Sequence, residues 1–183
     1  GDDGETAGEE SVVVDCVTPP EPVDDTPLEA ESFYSDDPWT PSEEAPVSTP
    51  VDQVDNWNHT DCCDVGLADA QSVLNEAQCG YGIEAAYSSR DGEVGIGQLV
   101  LAFEDESGAW LASDDIQPLS FKMQPDTGMY EEDNELYAWK QVSGNYLVVT
   151  VGVVGTTDEQ AIEEAITLVA DFHDDHLMAL PMA

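Results

Sequence analysis

The chain has 183 residues, room for one domain of ordinary size, and an apolar share of 41%, enough for one core. Its 41 Asp and Glu stand against three Lys and Arg, a formal charge of -38. Such a surface repels phosphate backbones and anionic membranes, which excludes nucleic acid as an ordinary partner and leaves cations, as counter-ions, or a basic protein face.

Self-repulsion on this scale opposes a compact state unless salt screens it. The screening length falls from about 8 Å at 0.15 M salt to about 3 Å at 1 M, so the composition predicts a protein adapted to concentrated salt. A DNA mimic is the lesser reading, because uniform acidity is more often solubility chemistry.

The chain opens on a flexible acidic run, Gly1-Asp2-Asp3-Gly4-Glu5, of the kind left when a signal peptide is removed. The expectation is an extracellular or cell-surface location, with a lipid anchor upstream of Gly1 as an option. Residues 1–64 carry 19 of the 41 acidic residues and no Lys or Arg, and eight of the eleven prolines fall between Pro19 and Pro50. That composition predicts an irregular acidic arm. Phe33, Tyr34, Trp39 and Trp57 punctuate it and are the candidate partner-binding residues, set to anchor the arm on the chain's own body or on another protein.

From Val65 to Ala183 a small domain is expected. Leu67, Ala70, Val73, Leu74 and Ala77 recur at helical spacing, and the helix is expected to stop at Cys79-Gly80. Tyr81 to Ser88 alternates as a strand, Asp91-Gly92 marks a hairpin turn, and Val94 to Glu104 returns. A change of parity between Ile96 and Leu99 points to a bulge at Gly97. Glu106 to Asp115 reads as a short helix. Leu136 to Val142 and Tyr146 to Val154 then form a second hairpin around Ser143-Gly144-Asn145. The last helix starts at Thr157 with a capping box to Gln160 and carries Ile162, Ile166, Val169 and His173 on one stripe. The body therefore reads α-ββα-ββα: an α+β fold with a four-stranded antiparallel sheet and helices on one face. The longest apolar run, Tyr146 to Val154, is too short for a transmembrane segment.

Four cysteines, Cys16, Cys62, Cys63 and Cys79, suggest two disulfides in an oxidising compartment. Adjacent cysteines strain if bonded to each other, so Cys62 and Cys63 are expected to reach Cys16 and Cys79, in either pairing. The rival is a metal site of His59, Asp61, Cys62, Cys63 and Cys79, which lacks the Cys-x-x-Cys spacing of structural zinc. Asn58-His59-Thr60 is a candidate glycosylation sequon at Asn58. Asp126, Glu131 and Asp133 stand in an acidic loop that could offer oxygens to calcium, without EF-hand spacing. His173 and His176, with Met178 and Met182 following, form a copper-friendly set, unless the first histidine faces the core and the second caps the helix.

No nucleophile elbow or phosphate-binding glycine loop is present, so no enzyme and no cofactor is expected. The segments Ala77 to Phe103 and Tyr137 to Val154, with the capped final helix, are similar in style to ectodomains of small secreted or lipid-anchored surface proteins of halophilic archaea and actinobacteria. That resemblance implies location more than activity. The functional expectation is a non-enzymatic binding or accessory subunit docking on another envelope protein, with a calcium- or copper-binding module as the alternative.

Overall fold

The computed structural model describes Cys16, Pro19 and residues 22–41, 49–123 and 134–181. The apolar and β-branched runs of the sequence become the middle of one antiparallel sheet. Its strands are β1 (Val51–His59), β2 (Cys79–Ser89), β3 (Val94–Phe103), β4 (Glu135–Ser143) and β5 (Tyr146–Val154), in the order β1-β2-β3-β5-β4. The α+β class is as expected, but the sheet has five strands rather than four. The fifth, β1, comes from within residues 1–64, where an irregular arm was expected. It pairs with β2 from Val51 opposite Ser89 to His59 opposite Gly82.

Helices cover both faces of the sheet, not one. On the first face, Ile83, Ala85 and Tyr87 of β2, Ile96 and Val100 of β3 and Val148 of β5 pack against Leu168, Val169 and Phe172 of a long helix. Ala30, Tyr34 and Trp39, from the chain before β1, complete that cluster. They flank or belong to a single helical turn, α1 (Ala30–Phe33). On the second face, Leu99, Leu101, Phe103, Leu147 and Val149 pack against Leu74 of α2 (Ala68–Glu76) and Ala109 and Ala112 of α3 (Glu106–Asp115).

Burial on both faces explains the parity change in β3. The strand runs in unbroken register against β5 from Val94 to Ala102, so there is no bulge at Gly97. Ile96 and Leu99 point to opposite faces, and each face has its own core. The register shifts instead between Gln53 and Asp55 on β1 and between Cys79 and Tyr81 on β2.

Local chemistry sets the ends of these elements. Gly92 (φ 76°) closes the first hairpin and Gly144 (φ 59°) the second, where a side chain would strain the backbone. At the end of α2 the left-handed position falls to Gln78 (φ 61°), not to the glycine at position 80. The long helix α4 (Glu159–Met178) is capped by Asp158, whose side chain accepts from Ala161 N at 3.0 Å, one residue beyond the expected cap at Thr157. It lies so close to the sheet that a Cβ on Gly152 would sit 2.8 Å from Val169 Cγ2.

The adjacent cysteines part as expected: Cys16 bonds Cys63, and Cys62 bonds Cys79. The first bridge closes a separation of 47 residues and the second one of 17. In the chain-entropy account these are worth about 4 and about 3 kcal/mol. A Cys16→Ser variant should expose one alkylatable thiol, located at Cys63 by fragment mass spectrometry. Alkylation at Cys62 or Cys79 would contradict this pairing.

Candidate functional site

Residues 22–41 run as a strap along the first face and one end of the sheet, and they build the two most distinctive polar features of the molecule. The strap has little structure of its own. Its α1 turn is closed by Phe33 N donating to Glu29 O and Tyr34 N to Ala30 O, each at 2.9 Å. Trp39 exchanges a pair of backbone bonds with Val51, and side chains of the body supply further ones. Leu28 N donates to Tyr81 Oη at 2.7 Å and Ala30 N to Asn58 Oδ1 at 2.9 Å. Gln53 Nε2 donates to Tyr34 O at 2.7 Å, and Tyr87 Oη donates to Asp36 O at 3.0 Å.

The first feature is a polar chain through the core. Tyr34 donates to Gln98 Oε1 at 2.9 Å, Gln98 Nε2 donates to Thr150 Oγ1 at 2.9 Å, and the Thr150 hydroxyl meets His173 Nδ1 at 2.7 Å. Gln98 and Thr150 are fully buried, and Tyr34 and His173 are 2% exposed. Read from Tyr34, each group can donate to the next, with the Thr150 hydroxyl hydrogen available to His173 Nδ1. Burial pushes its pKa below the ordinary histidine value, against a smaller opposing pull from Asp174. Burial also raises the Tyr34 phenol well above its usual value, with Tyr87 and Glu84 adding to the shift.

Beside this chain an aromatic cluster closes on His176. Phe172 lies 4.2 Å from the His176 ring, Tyr34 at 5.2 Å and Phe33 at 5.8 Å, while Trp39 and Tyr87 each meet Phe172 at 5.0 Å. His176 Nδ1 lies 2.9 Å from the Phe172 carbonyl, which can only accept. Burial lowers the His176 pKa, only partly offset by that bond.

The second feature is a groove of about 970 Å³ between the strap and the end of the sheet. Pro22, Pro27, Phe33, Tyr146 and Pro181 give it apolar walls, and Asp24, Asp25, Glu29, Glu104 and Glu106 give it carboxylates. Asp24 is its hub. Its Oδ2 accepts from Tyr81 Oη at 2.6 Å and Tyr146 Oη at 3.0 Å, and its Oδ1 from Asn145 Nδ2 at 3.1 Å. Burial, with Asp24 adding, raises the Tyr81 phenol strongly and the Tyr146 phenol to about 12. No Lys or Arg lines the groove.

The chain's three cations are elsewhere. Arg90 pairs with Asp52 at 3.1 Å on the surface, Lys140 bonds the Ser113 and Ile116 carbonyls, and Lys122 lies beside an apolar pocket of about 280 Å³ with Leu119 and Leu136.

The expected site residues divide accordingly. Tyr34 and Trp39 are buried and Phe33 is half-buried, so most of this aromatic surface is taken by the chain's own core. Trp57 is half-buried on edge strand β1. Asn58 is exposed on the same strand, with its Oδ1 accepting from Ala30. His173 and His176 are committed to Thr150 and the Phe172 carbonyl, and Met178 is 85% exposed and outside that core. Asp126, Glu131 and Asp133 lie outside the described residues, as does Met182. Among the described residues the one three-ligand cluster is Cys16, Asp61 and Cys63, whose sulfurs are bonded to each other. Asp61 Oδ1 there accepts from Cys16 N at 3.2 Å and Cys63 N at 3.0 Å. His59 Nε2 instead meets buried Glu84 Oε1 at 2.7 Å.

Sequence reasoning passed over Gln98, Thr150 and Glu84. Their signal was a lone polar side chain inside an apolar strand, which must find a buried partner. Asp24 had no such signal among so many carboxylates. No family model matches the chain, and no curated protein or solved structure is similar to it.

Two of the three buried histidines, His173 and His176, set a pH dependence. Their folded pKa values lie below the unfolded value of about 6.5, so the unfolded chain takes up protons first as pH falls. Stability should therefore decline below about pH 6.5, by up to about 1.4 kcal/mol per pH unit for each histidine. Urea melts between pH 7.5 and 5.5 should show this slope, and His176→Phe should reduce it. An unchanged slope in the variant would remove His176 from the account.

Proposed function

We propose that this chain is a non-enzymatic extracytoplasmic binding or accessory subunit that docks on another envelope protein in concentrated salt. The groove between the strap and the sheet end carries the reading. It is open and large enough for a chain segment, and it combines proline and aromatic walls with a carboxylate rim. That chemistry suits an extended segment with apolar side chains flanked by Lys or Arg. At high salt the apolar contacts supply the affinity while charge complementarity selects the partner.

Location rests on other observations. Two disulfides suit an oxidising compartment. No helix among the described residues is long and apolar enough to cross a membrane. The charge of -38 suits a medium in which carboxylates are screened.

Ser32 offers a clean test, since it lines the groove, is exposed and takes no part in the core. Ser32→Trp should obstruct the groove and leave thermal melting unchanged. With a photo-crosslinker at Glu29, the protein in a native envelope preparation at high salt should label one envelope protein, and the Ser32→Trp form should not. Equal labelling by both forms would move the binding surface elsewhere. A melting temperature raised by micromolar calcium or copper at fixed high salt would favour the cation-binding alternative.

A further inference from the structure

The strap and the body stand in an unusual relation, and it does not depend on the partner reading. The body is complete without the strap in one respect: β1 to β5 form an unbroken ladder. The second face has its own core, joined by the Cys62–Cys79 bridge. The strap, by contrast, has one helical turn, and its other bonds run to the body. An element with few internal bonds, laid on a sheet whose ladder and second core do not include it, can open as a unit before the whole chain unfolds.

Charge acts on that opening. The strap carries Asp24, Asp25, Glu29, Glu31, Asp36 and Asp37 and no Lys or Arg. It is laid against further carboxylates: Glu104 and Glu106 share its groove, and Asp175 accepts from Trp39 Nε1 at 2.8 Å. No ion pair among the described residues joins strap to body. Neutral donors and the burial of Tyr34 and Trp39 hold it down, while like charges push it off. Only the second of these responds strongly to salt, because Asp25, Glu29, Glu104 and Glu106 are exposed and their repulsion reaches roughly 10 Å at 0.1 M but roughly 3 Å at 1 M.

We infer that residues 22–41 form a salt-gated lid, closed in concentrated salt and released as salt falls while the sheet stays folded. Release bares the aromatic cleft of Tyr87, Phe172 and His176, with the Gln98 amide on its floor. The strap stays tethered by the chain itself, to the Cys16–Cys63 bridge on one side and to β1 on the other.

Hydrogen exchange read by mass spectrometry on the full oxidised chain, across a salt series, tests this. Strap peptides should lose protection at a salt concentration where peptides of β2 and β3 keep theirs. Asp25→Asn with Glu29→Gln, both exposed in the groove, should move strap release to lower salt. A matched pair on the exposed face of α4, Glu163→Gln with Glu164→Gln, should move it less. Simultaneous loss of strap and sheet protection, no loss from either at any salt, or an equal shift from both pairs would overturn the lid.

Discussion

A protein with 41 carboxylates and three cations cannot hold its acidic side chains in place by ion pairs, and this shortage shapes the contacts described above. Carboxylates find neutral donors instead. Asp24 takes two phenols and an amide, Asp175 an indole, Asp61 two backbone N–H groups, Asp37 the Gln53 N–H, and Asp105 and Asp158 the open N–H groups of α3 and α4. A charged acceptor makes such bonds stronger than neutral ones, about 1.5–3 kcal/mol against about 1. They also persist at salt concentrations that erase surface ion pairs. Tyr, Trp and Asn side chains and backbone N–H groups thus do the anchoring that Lys and Arg perform elsewhere.

The same shortage falls hardest on the strap. The middle of the sheet gains from apolar burial on two faces, with each large side chain contributing about 1.5–3 kcal/mol, and salt does not weaken that term. The strap covers only part of one face. Its attachment depends on Tyr34, Trp39 and a set of neutral hydrogen bonds working against repulsion. Function in this reading sits where the fold is least secure, as is common for binding elements. The groove is walled on one side by the strap, so in the proposed lid the salt that holds the strap would also keep the groove formed.

How far the sequence revealed this depends on burial. Strands buried on both faces, such as Tyr146 to Val154, are apolar throughout and legible at once. So were α3 and the parting of the two cysteines. Edge strand β1 was not, because Val51-Asp52-Gln53-Val54-Asp55-Asn56-Trp57-Asn58-His59 is mostly polar. Its register shift between Gln53 and Asp55 also breaks the alternation, so Val51 and Trp57 belong to opposite faces. The two-sided core hid behind an apparent bulge at Gly97. The groove was the least visible feature, since nothing distinguishes Asp24 from its neighbours until Tyr81, Tyr146 and Asn145 converge on it from distant parts of the chain.

Neutral donors, not cations, fix the carboxylates of this fold. Tyr146→Phe tests it most directly, since the change removes one hydroxyl from Asp24 and keeps the ring in its buried place. Stability of the variant and the parent should be compared by denaturant melting at 0.5 M and 3 M salt. The expected loss is about 1.5–3 kcal/mol and nearly the same at both concentrations. A loss that vanishes at 3 M, as a screened ion pair would, or no loss at either concentration, would contradict it.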